Sequence, residues 1–292
     1  MWFLYSTFFA FWNSVSILLT KKFTNKLNPL PLLFILNIFS IVFILILLIL
    51  GRGFPDVTFN FFLFIFVAAV LDVAAFLSSF SAIKVSQISL IAPLSSFGPV
   101  FTTLTAIFTL GEMPSALKFM GILLTVLGAY LLNIKDIKNG MVTPFKNLVN
   151  NKGAILYLLA TLLWAITPIF QKKAIFETSP TTPLFASFTG FIFVTIFISP
   201  FILNKAKPIS EFIKPNFKLL LIFGSFTALS QLAAYTAFSL AYVGYVAAIM
   251  RMSSLFTIIL GSKLLKEERV NERFIGALVM LAGALLIGLV RA

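Results

Sequence analysis

The chain has 292 residues, 60% of them apolar and only 11% charged, with a mean hydropathy of +1.06. A soluble domain carries about 25% charged residues, so a water-covered globule is excluded. Twenty-two Lys and Arg against nine Asp and Glu give a net charge of +13, and the absence of Cys and His excludes disulfide, thiolate and imidazole chemistry.

A span across about 30 Å of hydrocarbon needs roughly 20 apolar residues. In chain order the sequence offers ten: 2–20, 30–50, 59–83, 88–110, 117–134, 153–172, 183–203, 217–241, 245–263 and 273–290. They consume the chain, so the expected class is an all-α integral membrane protein. The first span has no basic leader and no small-residue cleavage site, and reads as a retained helix rather than a signal peptide.

Span 1 carries Trp12, Asn13 and Ser16 at mid-depth. A Trp there is a poor interfacial anchor; it either lines a cavity or packs between helices, and Trp164 in span 6 reads the same way. Span 3 places Asp72 in the middle of FVAAVLDVAAFL. A carboxylate at that depth faces a cavity or a partner. It is either a coupling or amine-binding group, able to carry a proton, or half of a structural pair. Pro93 and Pro99 in span 4 and Pro168 in span 6 each remove an intrahelical hydrogen bond and are candidate gating kinks or simple shape features. Gly121 and Gly128 in span 5, with Gly276 and Gly283 in span 10, share a seven-residue spacing. Small residues on one face let helices approach closely, so spans 5 and 10 are expected to pack together. Thr167 in span 6 and Gln231 and Tyr235 in span 8 are polar at membrane depth, either as substrate contacts or as helix–helix hydrogen bonds.

Span 9 places Arg251 near its middle, in VAAIMRMSSLF. An Arg stays charged and can clamp a carboxylate or phosphate bidentately; alternatively it pairs with Asp72 or snorkels to the interface. Met250 and Met252 beside it are candidates for a soft wall. Glu112 and Glu267 lie at span ends, as loop caps or local ion pairs, and 263–273 reads as a solvated turn.

The chain says nearly the same thing twice. Pro99–Leu132 aligns without a gap on Ser254–Ile287 at an offset of 155, pairing Phe101 with Phe256, Glu112 with Glu267, Gly121 with Gly276 and Gly128 with Gly283. Trp12 and Lys21 match Trp164 and Lys173 at 152, and 81–91 resembles 239–249 at 158. The longest polar connection lies between, giving a first repeat over 1–135, a basic loop over 136–152 and a second repeat over 153–292. Five spans per repeat put the halves in opposite orientations, an inverted repeat with its site between them near the midplane. Neither Asp72 nor Arg251 is repeated. By offset Asp72 falls on Thr227 or Ser230, and Arg251 on Ser96 or Pro93. Unrepeated charges in a symmetric frame suit a substrate, and a zwitterion suits one carboxylate and one guanidinium.

Loops 1–2, 3–4, 5–6, 7–8 and 9–10 carry 16 Lys or Arg, and the other side five: Arg52, Lys118, Lys172, Lys173 and Arg291. The positive-inside rule then puts the termini outside. The basic excess is assigned to anionic lipid rather than nucleic acid.

Trp12 and Trp164 with their trailing lysines, Pro99-Val100-Phe101, Leu110-Gly111-Glu112, Gly121 and Gly128, then Glu267, Gly276 and Gly283, occur in one order and in duplicate. On these residues the chain resembles the ten-helix EamA-type branch of the drug/metabolite transporter superfamily, over essentially its full length. It departs at Ser254-Leu255-Phe256, where the family reads Pro-Val-Phe, and at Lys266, where it has Gly. The resemblance implies transport of small molecules across a prokaryotic inner membrane, often export. It also implies a cavity lined by spans 1, 3, 4, 6, 8 and 9, and cytoplasmic termini, opposite to the charge tally.

No P-loop is present, so energy comes from a gradient or exchange. The expected function is secondary transport of a small polar or amphipathic metabolite, such as an amino acid, by alternating access. The alternative is a flippase for a lipid-linked substrate. One mid-span carboxylate without His or Cys is too little for a catalytic set, so no enzyme activity, cofactor or metal is expected. The partners expected are a small-molecule substrate and the bilayer, with the chain acting as a monomer.

Overall fold

The computed structural model describes residues 1–23, 27–51, 53–86, 92–133, 151–202, 206–265 and 274–289. The connecting loop at 136–150, Glu267 and the turn at 266–273 lie outside the described residues.

In hydrocarbon every backbone N–H and C=O must be satisfied within the segment, so an apolar chain of this kind forms helices. The helices are α1 Trp2–Phe23, α2 Pro29–Gly51, α3 Phe59–Val85, α4 Gly98–Leu110, α5 Ala116–Asn133, α6 Lys152–Phe176, α7 Pro183–Ile198, α8 Ala206–Leu240, α9a Val243–Met250 with α9b Ser253–Leu265, and α10 Phe274–Leu289. Among the described residues eight spans are long and apolar enough to cross a membrane, and Ala116–Leu132 and Ile275–Leu289 are shorter apolar helices. The protein is an all-α integral membrane protein, with ten spans among the described residues.

Local chemistry fixes the ends. The Thr58 hydroxyl accepts from the Phe61 N–H at 3.3 Å to start α3. The Asn151 carboxamide accepts from Gly153 and Ala154 N–H at 2.9 and 3.1 Å to start α6. Both are N-caps that meet orphan donors of a first turn. Gly111 ends α4 at φ 67°, a conformation that suits glycine. Most mid-span hydroxyls bond their own helix: Thr167 donates to Leu163 O at 3.0 Å, and Thr227 to Phe223 O at 2.8 Å. Ser40 instead crosses to α8, donating to Gly224 O at 2.9 Å.

Two expected helices are not continuous. Residues 92–97 of span 4 form a 3-10 turn before α4. Span 9 breaks at Arg251–Met252, so Arg251 stands at a break and not inside a regular helix. The cause is visible in the backbone: Met252 N–H reaches back three residues to Ile249 O, and Ser254 N–H to Arg251 O, both at 3.0 Å. The ladder tightens for one turn. The tightened turns of the two halves lie at about the repeat offset. A third difference is α8, which begins at Ala206 rather than 217 and carries Pro215 inside it.

Helix contacts come in exchanged pairs. α3 packs on α6 as α8 packs on α1; α4 packs on α6 as α9b packs on α1; α5 pairs with α10, and α2 with α7. Swapping the halves maps this pattern onto itself, as a two-fold repeat requires. A short antiparallel pair, β1 Asp56–Val57 with β2 Thr178–Ser179, ties the 2–3 and 6–7 connections.

Candidate transport cavity

A cavity of about 940 Å³ lies between the halves. Its lining reaches Thr20 near the end of α1, Pro29 at the start of α2, Phe80 in α3 and Tyr157 near the start of α6. Towards the other end it stops at Phe9, Ile65, Gln171, Ser187, Phe238 and Ala247, short of the helix ends. The cavity is a vestibule, open towards the end of connections 1–2, 3–4, 5–6, 7–8 and 9–10 and sealed at the end where α1 begins.

Asp72, Arg251, Trp12, Trp164, Asn13, Gln231 and Tyr235 all line this one cavity, as do Pro99 and Pro168. Pro93 is buried in the 3-10 turn and does not line it. Met250 lines it, whereas Met252 belongs to the core beside α5 and α10. The wall is wider than the resemblance implies, because α2 adds Asn37 and α7 adds Gly190 and Phe191.

Asp72 and Arg251 are the two charged residues of the lining. They form no ion pair with each other; among the described residues the ion pair is Lys172–Glu112. Asp72 instead has the Thr167 hydroxyl within hydrogen-bonding reach and Tyr235 nearby. Tyr235 in turn lies against α7, where a side chain at Gly190 would meet its hydroxyl at 2.7 Å. Tyr157 lies near Arg251 in the wall, and Tyr157 is hydrogen-bonded to Ser95. The cavity therefore has a carboxylate pole and a guanidinium pole, each with a tyrosine. Sequence reading missed Tyr157 and Ser95; their only signal was polarity at membrane depth.

Aromatic side chains wall the space between. Trp12 stacks on Phe226 at 4.5 Å, and Trp164 meets Phe76 edge-on at 5.3 Å. Trp12 Nε1 and Asn37 Nδ2 are buried without a hydrogen-bond partner among the described residues. Orphan donors at membrane depth are costly.

The sealed end is closed by polar contacts between the halves. Lys172 Nζ lies 2.6 Å from Glu112 Oε1 and donates to Ala241 O at 2.7 Å. The Val243 N–H donates to Glu112 Oε2 at 2.7 Å. Glu112 follows α4, Lys172 lies four residues before the end of α6, Ala241 follows α8 and Val243 begins α9a. Gln171 faces the main cavity, while Lys172 and Glu112 line a second, smaller pocket beyond it. The ion pair stands in the partition between the two.

The sequence matches the model of the EamA-like transporter family over residues 1–134 and again over 151–289. The chain belongs to that family. Membership makes the protein a membrane transporter of small molecules. An uncharacterized protein of Methanocaldococcus jannaschii is similar at 30% identity over 115 residues, which is 39% of this chain and 84% of that protein. The matched stretch is about the length of one repeat. A solved crystal structure of a protein aligns over 99% of this chain and 96% of its own, with a TM-score of 0.77 at 11% identity, and shares the fold.

Proposed function

We propose that the protein is a secondary transporter for a small polar or amphipathic metabolite, an amino acid or a related compound. It works by alternating access, exporting its substrate against a gradient or by exchange, as a monomer in a prokaryotic inner membrane. The observation that carries this reading is a one-ended vestibule between inverted repeats, with the chain's two unrepeated mid-membrane charges in its wall. Inverted-repeat carriers hold substrate at this place and expose it by rocking the halves. The orphan donors of Trp12 and Asn37 favour a cargo with acceptor oxygens over a purely apolar one.

The test is counterflow exchange in proteoliposomes with labelled amino acids, sugars and nucleotide derivatives. Asp72→Asn is expected to lower exchange by roughly tenfold to a hundredfold, the effect of losing a charge-assisted hydrogen bond of about 1.5–3 kcal/mol. A folded protein that exchanges no soluble solute but moves a lipid-linked one would transfer the role to the flippase reading. Unaltered exchange in Asp72→Asn would remove Asp72 from the site.

A further inference from the structure

Arg251 is the least explained group in the membrane. It is half-buried at the break of the ninth span. A guanidinium cannot shed its proton at any ordinary pH, and a permanent charge at bilayer depth is normally matched by a counter-charge. Among the described residues no carboxylate pairs with it. Two hydroxyl side chains share its stretch of the cavity wall. Tyr157 lies beside it from α6, and Ser95 is hydrogen-bonded to Tyr157 from the turn before α4.

The position is also fitted. A side chain at Gly98, the first residue of α4, would meet Arg251 Nη2 at 2.6 Å. Glycine there leaves the guanidinium the space it occupies, pressed against one helix start. Its own chain supplies the other, α9b from Ser253, and the first turns of both helices line the cavity. Helix starts carry partial positive charge, which adds to the guanidinium instead of offsetting it.

We infer that Arg251, Tyr157 and Ser95 form an anion subsite that reads a carboxylate or phosphate group on the transported molecule. The inference rests on the transport reading above and specifies one end of its substrate. Among the described residues the guanidinium has no carboxylate partner, and an anionic head group supplies both the counter-charge and the acceptor oxygens it can grip. Its asymmetry fits, because the repeat mate of Arg251 is Ser96 or Pro93, so one such subsite exists per cavity.

The test measures binding, not transport. Thermal stabilisation of the purified full-length protein is titrated with phenylacetate, phenyl phosphate, phenylacetamide and phenylethanol, whose aromatic body suits the Trp and Phe walls. An anionic probe is expected to bind about tenfold or more tightly than the neutral two, the margin of a charge-assisted bidentate contact. Whichever of phenylacetate and phenyl phosphate wins names the head group. Arg251→Gln is expected to erase the preference and Arg251→Lys to keep part of it. Gly98→Ala keeps the charge but displaces it, and is expected to weaken both anions while leaving the neutral probes alone. Neutral probes binding as well as the anions in the wild type, or a preference that survives Arg251→Gln, would overturn the subsite. Arg251-dependent anion binding without exchange of any solute in proteoliposomes would uphold the subsite and sink the transport reading.

Discussion

Neutralising Lys172 alone is expected to open the sealed end of the cavity. Among the described residues the Lys172→Met variant leaves the Glu112 carboxylate with the Val243 N–H as its hydrogen-bond partner, in a site where the Lys172 and Glu112 side chains are only 12% and 7% exposed. Removing one member of such a pair costs about 3–5 kcal/mol, because the other charge stays buried and uncompensated. Every 1.4 kcal/mol is about tenfold in an equilibrium, so the population should move by roughly two to three and a half orders of magnitude. Other contacts between the halves at this end include the short β1–β2 pair and its flanking side chains, and none of these meets the buried Glu112 carboxylate. The hydrogen bond between Thr58 and Glu177 is exposed, and exposed polar contacts are worth at most about 1 kcal/mol.

The chain has no cysteine, so single-cysteine labelling reads the change directly. Ala247→Cys places a thiol at the last lining position of α9a before the seal. An impermeant maleimide applied from the side where α1 begins should not reach it in the parent protein and should label it in Lys172→Met. The double variant Glu112→Gln with Lys172→Met removes both charges and should label less than the single one, since no unpaired charge is left to hydrate. Equal labelling in all backgrounds would show that the ion pair does not hold the seal.

What the sequence made legible follows from what repeats. The ten spans, Glu112, and the four helical glycines stand out because the chain writes them twice, or because about 20 apolar residues in a row have one physical solution. What it hid are single events between distant positions. Glu112 reads as a loop cap or local pair, but its partner is 60 residues away in the other half. The break at Arg251 has neither Pro nor Gly to announce it; it is a local shortening of the hydrogen-bond ladder. Arg251 and Asp72 were both visible as mid-membrane charges, and pairing them with each other was a natural reading. Thr167, beside Asp72, stands out as polar at membrane depth, but Tyr157 and Ser95, from α6 and the turn before α4, look like ordinary filler in one dimension.

Gly128→Ala is expected to destabilise the protein, against the sign that helix propensity gives. In an exposed helix interior the change from Gly to Ala gains about 0.8–1 kcal/mol. Here a side chain at Gly128 would meet the Gly276 carbonyl and the Met280 Cα, both at 2.7 Å, and one at Gly283 would meet the Gly121 carbonyl at 2.6 Å. The contacts are backbone on backbone and reciprocal, Gly121 with Gly283 and Gly128 with Gly276, two helical turns apart. Backbone cannot swing aside as a flexible side chain does, so α5 and α10 must separate and lose their shared core of Ile122, Ala129, Met280 and Ala284. Overpacking of this kind costs about 1–3 kcal/mol, which exceeds the propensity gain. Gly51, with nothing within 4 Å of an added side chain, is the control and should be neutral or slightly stabilised as Ala. Thermal unfolding in detergent compares the three directly. Because α5 and α10 are each other's repeat mates, their contact maps onto itself when the halves exchange roles, and it need not break during the cycle. Gly128→Ala should therefore yield less folded protein, while what folds exchanges substrate at the parent rate per molecule. A variant that folds fully but transports slowly would show instead that this crossing moves, and that the two halves pivot elsewhere.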